Sequence, residues 1–165
     1  MTISVQLEPA DGAPPAVEYR WDPDTDILTA QLRAARAEGT SGSVELEGTD
    51  GSWLVLDVSA GCIHGVEVAV WPDVRKVPTL SPPAEVEFAT VRVPGRRSQP
   101  GPSALEVNTA LFAEADQAER TIHFRLGQTR QTRTVGLARD LLLDLDSQQR
   151  IAGVWLLNVP PFPDT

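Results

Sequence analysis

The chain repeats one pattern of residues, and this internal similarity constrains the fold more than any single residue does. A stretch at 21–68 recurs at 115–156. Each copy holds an aspartate-rich turn, an alternating strand, an apolar strand with an aspartate and a final strand with Gly-Val: 22–26, 27–32, 54–58 and 63–68 in the first copy, and 116–120, 122–126, 141–145 and 151–156 in the second. The sequence therefore predicts two similar halves.

Alternation of polar and apolar residues predicts that the secondary structure is β. The stretch at 85–93 alternates most regularly, and Asp, Gly and Pro clusters separate about ten such runs. This pattern predicts an all-β fold, a sandwich or barrel built from two similar β-meander halves. The predicted organisation is a first β repeat at 1–74, a connector at 75–84 and a second β repeat at 85–165, and both two small domains and one domain with pseudo-two-fold symmetry fit it.

Three segments allow more than one interpretation. Residues 109–120 have the propensity of a helix, but the repeat places a strand and a turn there, and we favour the repeat. Residues 29–38 could contain a short alanine-rich helix. The Pro- and Gly-rich segment at 94–102 is expected to be a mobile loop.

Length and composition exclude several classes of protein. A chain of 165 residues with 41% hydrophobic content can bury a core of its own, and its single cysteine, Cys62, excludes an internal disulfide. The first residues lack a secretory signal pattern and no apolar run is long enough to span a membrane, so we expect a cytoplasmic protein with no membrane partner.

The charge of the chain disfavours nucleic acid as a partner. The formal net charge is −9, and the acidic excess lies in residues 1–80. A phosphate backbone would repel such a surface. Since the second half is nearly neutral and carries more arginine, pairing of unlike halves between two copies, as in a homodimer, is a reasonable expectation.

Short motifs in the first copy resemble a family. Trp21-Asp22, Asp26-Ile27-Leu28, Leu56-Asp57 and Gly65-Val66-Glu67 follow one another in order. In this order they resemble a short bacterial β-rich domain of unknown function with the pattern aromatic-Asp-x-x-x-Asp, then Leu-Asp, then Gly-Ile/Val-Glu. The resemblance implies a compact β-meander unit, here in tandem, and no established activity.

The second copy departs from the family pattern. It keeps Asp116, Asp144 and Gly153, but Arg120 stands where Asp26 does and Trp155 stands where Glu67 does. Chemistry that depends on those carboxylates would therefore belong to the first half.

The first half offers one candidate metal site, formed by Asp22, Asp24, Asp26, His64 and Glu67. Carboxylates at alternate positions can bind Ca²⁺ or Mg²⁺, although the spacing lacks the glycine and the last acid of an EF-hand loop. The alternative is that these aspartates accept backbone hydrogen bonds in a hairpin turn, which we favour. No cofactor is predicted apart from these two ions.

The second half offers a candidate basic face, formed by Arg125, Arg130 and Arg133. The alternative is that these arginines pair with nearby acids on a solvated sheet. Few aromatic residues accompany them, so a stacking platform for single-stranded nucleic acid is not favoured.

No motif of a nucleotide site, a zinc site or a nucleophile elbow occurs in the chain. The sequence thus favours a non-enzymatic protein that binds a protein partner or a second copy of itself over an enzyme. The alternative is a divalent-metal or small-ligand-binding protein that uses the first-half carboxylates.

Overall fold

The computed structural model describes residues 3–10, 12–33, 41–94 and 104–163. Every regular element in these ranges is a β-strand, so the all-β prediction is confirmed. The strands are β1 (Gln6–Pro9), β2 (Val17–Trp21), β3 (Leu28–Leu32), β4 (Ser41–Glu47), β5 (Trp53–Ser59), β6 (Cys62–Val70), β7 (Val74–Lys76), β8 (Glu87–Arg92), β9 (Ala104–Asn108), β10 (Leu111–Ala115), β11 (Ile122–Leu126), β12 (Thr132–Ala138), β13 (Leu141–Asp146) and β14 (Ile151–Leu156). The described part of the chain contains no helix long and apolar enough to cross a membrane.

The strand interpretation of the segment at 109–120 is correct. Its apolar residues Leu111, Ala113 and Ala115 are buried at alternate positions of β10. This period of two fits a strand with one face against the core, and tertiary packing overrides the local preference for a helix. In the segment at 29–38, residues 29–32 belong to β3, while 34–38 lie outside the described residues, as do 95–102 of the predicted mobile loop.

The 14 strands form one curled mixed sheet, and eleven of them follow the order β7-β10-β11-β14-β13-β12-β8-β6-β5-β4-β9. The other three join it at the side: β1 pairs with β8, β3 pairs with β6, and β2 pairs with β3. Two sets of five strands pair in the same order, β2-β3-β6-β5-β4 and β10-β11-β14-β13-β12. In the first set Asp57 lies opposite Gly65, and in the second Asp144 lies opposite Gly153; the register shifts directly after each aspartate.

Several strands pair across the predicted division at 75–84. β1 pairs with β8, β9 runs parallel to β4, and β7, which begins at the edge of the predicted connector, runs parallel to β10. One hydrophobic cluster contains Leu28 and Leu56 from the first set together with Phe124 and Leu143 from the second, all fully buried. Burial of each such side chain contributes about 1.5–3 kcal/mol.

The structure has more strands than the ten or so that the alternation predicts. β7 and β9 are short, lie at edges and pair with strands distant in the sequence. Neither shows a run of alternating residues long enough to identify it from the sequence.

Candidate functional site

The aspartates of the first half build a hairpin turn between β2 and β3. The backbone amide of Asp22 donates to the carbonyl of Ile27 at 2.9 Å, and its Oδ1 accepts from the amide of Asp24 at 3.0 Å. Asp26 has φ of 61°, a left-handed conformation that aspartate tolerates better than most residues. Asp22 and Asp26 thus have the geometry of turn residues.

Equivalent turns occur in the second half. Asp116 Oδ1 accepts from the amides of Arg120 and Thr121 at 2.8 and 3.2 Å. Asp146 Oδ1 accepts from the amides of Gln148 and Arg150, both at 2.9 Å. One aspartate therefore organises each of these hairpins.

The candidate metal ligands do not come together. Asp22, Asp24 and Asp26 lie in the turn, Glu67 lies in mid-strand opposite a threonine of β3, and His64 is buried at the bulge of β6. Within the described residues, no group of three or more His, Cys, Asp or Glu side chains could hold a metal ion.

Each of the three arginines of the candidate basic face contacts a different set of residues. The guanidinium of Arg125 lies 4.4 Å from the ring centroid of Phe112, and its Nε donates to the carbonyl of Gly127. Arg133 Nη2 donates to Gln149 Oε1 at 2.6 Å.

Arg130 belongs to a buried ion-pair network centred on Asp146. Asp146 Oδ2 accepts from Arg130 Nε at 3.1 Å and from Arg150 Nε at 2.9 Å, and the carboxylate side chain is 2% exposed. Burial opposes ionisation of Asp146, but the amides of Arg150 and Gln148 and the two guanidinium groups outweigh it and hold its pKa below the ordinary value. This arginine therefore stabilises a turn.

A second polar network lies on the face of the second-half sheet opposite to Phe124. Asp144, in β13, accepts hydrogen bonds from His123 Nε2 at 2.7 Å, Thr134 Oγ1 at 2.7 Å and Trp155 Nε1 at 3.1 Å. The imidazole also stacks on the Trp155 indole, with 4.0 Å between the ring centroids. Asp144 therefore accepts from side chains of three other strands and not from the backbone of a turn.

The Thr134, His123 and Asp144 side chains have the composition of a catalytic triad but not its geometry. In a nucleophile-base-acid relay the hydroxyl donates to the histidine, whereas here the Thr134 hydroxyl donates to Asp144 directly. All three donors converge on one buried carboxylate and satisfy it, which is the arrangement of a structural network.

An aromatic groove opens where the two sets of strands meet. Trp21 stacks on Trp71 with ring centroids 5.8 Å apart, and Phe162 meets Trp21 edge-on at 5.2 Å. The groove has a volume of about 250 Å³. Its walls include Trp21, Trp71, Val74, Ala118, Glu119 and Phe162.

Hydrogen bonds hold the two tryptophans in place. Trp71 Nε1 donates to the carbonyl of Asp26 at 2.7 Å, and Trp21 Nε1 donates to the carbonyl of Pro160 at 2.9 Å. The Trp71 ring also lies 5.9 Å from the buried Phe124 ring. The floor of the groove is thereby fixed to the hairpin turn, the C-terminal segment and the core.

One carboxylate, that of Glu119, lies in the wall of this apolar groove. Asp22, Asp24 and Asp26 are exposed on the neighbouring hairpin turn, where the backbone carbonyl of Asp26 accepts from Trp71 Nε1. Glu119 Oε1 forms an ion pair with Lys76 Nζ at 2.8 Å.

Neither the groove nor the Asp144 network was found by sequence reasoning. The resemblance uses Trp21 only as a motif residue, and Trp71 and the segment at 160–163 belong to none of its motifs. One pattern in the sequence could have indicated the groove: Trp71-Pro72 and Pro160-Pro161-Phe162 each follow the last strand of a copy.

Comparison with known proteins adds no relative: no protein family model matches the chain, and no curated protein matches it.

Proposed function

We propose that this protein is a non-enzymatic binding module and that the aromatic groove receives an extended segment of a protein partner. The observation that carries the proposal is the open groove with a floor of two stacked tryptophans. Aromatic residues are enriched in the centres of protein interfaces, and an apolar groove with a polar rim is typical of such sites.

The rest of the described structure supports binding more than catalysis. The polar cluster with catalytic composition, around Asp144, is internally satisfied. The exposed apolar residues Val74 and Phe162 lie together in the groove walls, where exposure has a cost unless a ligand covers them.

We also propose that the two halves are tandem copies of one β-meander unit. The common pairing order of the two five-strand sets supports this proposal, as does the Asp-Gly pair at the same place in each set. In the second copy Trp155 replaces the equivalent of Glu67, and the polar network around Asp144 accompanies that change.

Selection of linear peptides by phage display on the immobilised protein tests the binding function. We expect enriched peptides that lose about tenfold or more in affinity for the variants Val74→Glu and Phe162→Ala, since a charge or a lost ring in the groove removes apolar contact. Both residues are partly exposed, at 36% and 40%, so both variants should fold.

Trp53→Ala is the matched control, because Trp53 is 39% exposed and lies outside the groove wall. Its affinity for the selected peptides should equal that of the unchanged protein. The proposal is wrong if selection enriches no peptide, or if the enriched peptides bind the Val74→Glu and Phe162→Ala variants as well as they bind the control.

A further inference from the structure

We propose that the ligand of the aromatic groove is a basic segment that places an arginine side chain against the aromatic wall, next to Glu119. This inference rests on the proposed binding function and adds the chemistry of the partner. It follows from the position of the carboxylates relative to the indole rings.

The first observation is that the groove wall already holds a cation. Glu119 Oε1 lies 2.8 Å from Lys76 Nζ, and both side chains are largely exposed, at 61% and 42%. An exposed ion pair of this kind contributes little to stability, because water and salt screen it. An incoming cation could therefore replace Lys76 at little cost.

The second observation is the charge of the two hairpin turns beside the groove. The turns at 22–26 and 116–120 carry five carboxylates and one arginine, Arg120. The side chains of Asp24 and Asp26 have no ion-pair partner among the described residues. The negative charge of these two turns lies next to the groove and would attract a cationic ligand.

The third observation is that aromatic side chains line the groove together with Glu119. A cation is attracted to the electrons of an aromatic ring, most strongly where water is excluded. Guanidinium fits better than ammonium, because it is planar, stacks on aromatic rings and can bind a carboxylate such as Glu119 through two hydrogen bonds.

The Leu-Arg-Pro-Leu-Arg peptide, acetylated and amidated, is the probe, and the same peptide with Gln in place of Arg is its neutral counterpart. Binding is measured by tryptophan fluorescence and localised by the NMR shift of the Trp71 indole N–H. We expect the arginine peptide to bind about tenfold more tightly and to lose affinity as salt is raised.

Two variants with opposite effects separate ligand binding from stability. Glu119→Gln should weaken binding of the arginine peptide several-fold, whereas Lys76→Gln should strengthen it, because it removes the competing cation. If the ion pair between Glu119 and Lys76 were only structural, both variants would change the affinity for the arginine peptide in the same direction. Glu106→Gln, which changes the same charge on an exposed residue of β9 outside the groove wall, should leave the affinity unchanged.

Equal binding of the arginine and glutamine peptides, with both abolished by Val74→Glu, overturns the cationic inference and leaves the groove as a binding site. Failure of both peptides to shift the Trp71 indole signal also overturns it, while the phage selection decides the binding function separately. Weakening by Lys76→Gln would exclude the competition on which the inference depends.

Discussion

Single aspartates hold the turns and one sheet face of this protein in place. Asp22, Asp116 and Asp146 each accept backbone amides within a hairpin turn, and Asp144 accepts three side-chain donors from neighbouring strands. Each carboxylate therefore accepts from fixed donors. For the buried carboxylates of Asp144 and Asp146, a hydrogen bond to a charged acceptor contributes about 1.5–3 kcal/mol.

The turn aspartates could be predicted from the sequence, but Asp144 could not. The segment Asp22-Pro23-Asp24 predicts a turn from local sequence alone, because the backbone donors lie within a few residues of the accepting aspartate. The donors of Asp144 lie 10, 11 and 21 residues away, on strands that become neighbours only in the folded sheet. Local alternation does not specify which strands pair.

Tyr19 gives a prediction for alkaline pH. Its hydroxyl donates to the carbonyls of Leu157 at 2.7 Å and Asp140 at 3.0 Å, and burial, with the nearby charge of Asp140, raises its pKa well above the ordinary value. The folded state therefore favours the neutral phenol. Its stabilising contribution is complete below the unfolded pKa of about 10 and is lost as the pH rises from there towards the folded pKa.

Tyr19 is the only tyrosine, so near-ultraviolet absorbance of tyrosinate reports this residue alone. We expect tyrosinate to appear together with the loss of tertiary structure in an alkaline titration. The Tyr19→Phe variant should lose about 0.5–1.5 kcal/mol at neutral pH and should lose less stability than the unchanged protein above about pH 10. Ionisation near pH 10 in a protein that stays folded would contradict the assignment.

At the scale of elements, a glycine and an aspartate on adjacent strands act as one unit. Gly153 lies opposite Asp144 in the β13–β14 pair, and Gly65 lies opposite Asp57 in the equivalent pair. A Cβ at Gly153 would lie 2.6 Å from Asp144 Oδ2 and 2.7 Å from the carbonyl oxygen of Phe124. The missing side chain provides the space that the carboxylate occupies.

Substitution of this glycine should destabilise the second-half sheet. We expect Gly153→Ala to lower the free energy of unfolding by about 1–3 kcal/mol or more, because a backbone oxygen cannot move aside as a side chain can. Gly136→Ala is the matched control. A Cβ there would meet chiefly the partly exposed ring of Phe88, at 2.6 Å, which can rotate away. Chemical denaturation of both variants measures the difference, and equal losses would contradict this explanation.

The sequence predicts central strands better than edge strands. β5, β6, β8, β11, β13 and β14 were all expected, because they contain alternating or continuous apolar runs that face a core. β7 has only three residues, all exposed, and it forms because the edge of β10 offers free backbone groups. Its existence is decided by the tertiary fold.

At the scale of the whole molecule, the candidate site is a product of the folded chain. The groove combines Trp21 at the end of β2, Trp71 after β6, Glu119 in the β10–β11 turn and Phe162 in the C-terminal segment. Each residue was visible in the sequence, but their separation of up to 141 positions hid their proximity.

The strand pairs that join the two halves predict a single cooperative unfolding transition. β1–β8, β4–β9 and β7–β10 pairs join the sets, and one core contains residues of both, so neither set can lose its structure without exposing the other. Urea unfolding followed by circular dichroism and by tryptophan fluorescence should give coincident curves. Val107 of β9 is buried and lies opposite Leu46 of β4. A substitution of Val107 therefore tests the contact between the two halves.

We expect Val107→Ala to cost about 1–3 kcal/mol and to shift the whole transition, since removal of a buried methyl pair leaves a cavity between the halves. Amide hydrogen exchange in β5 and in β13 should accelerate by the same factor, because both strands open only through global unfolding. Faster exchange in β5 alone, or two separate urea transitions, would show that the halves are independent domains, and the groove between them would then have to form by docking of two separately folded units.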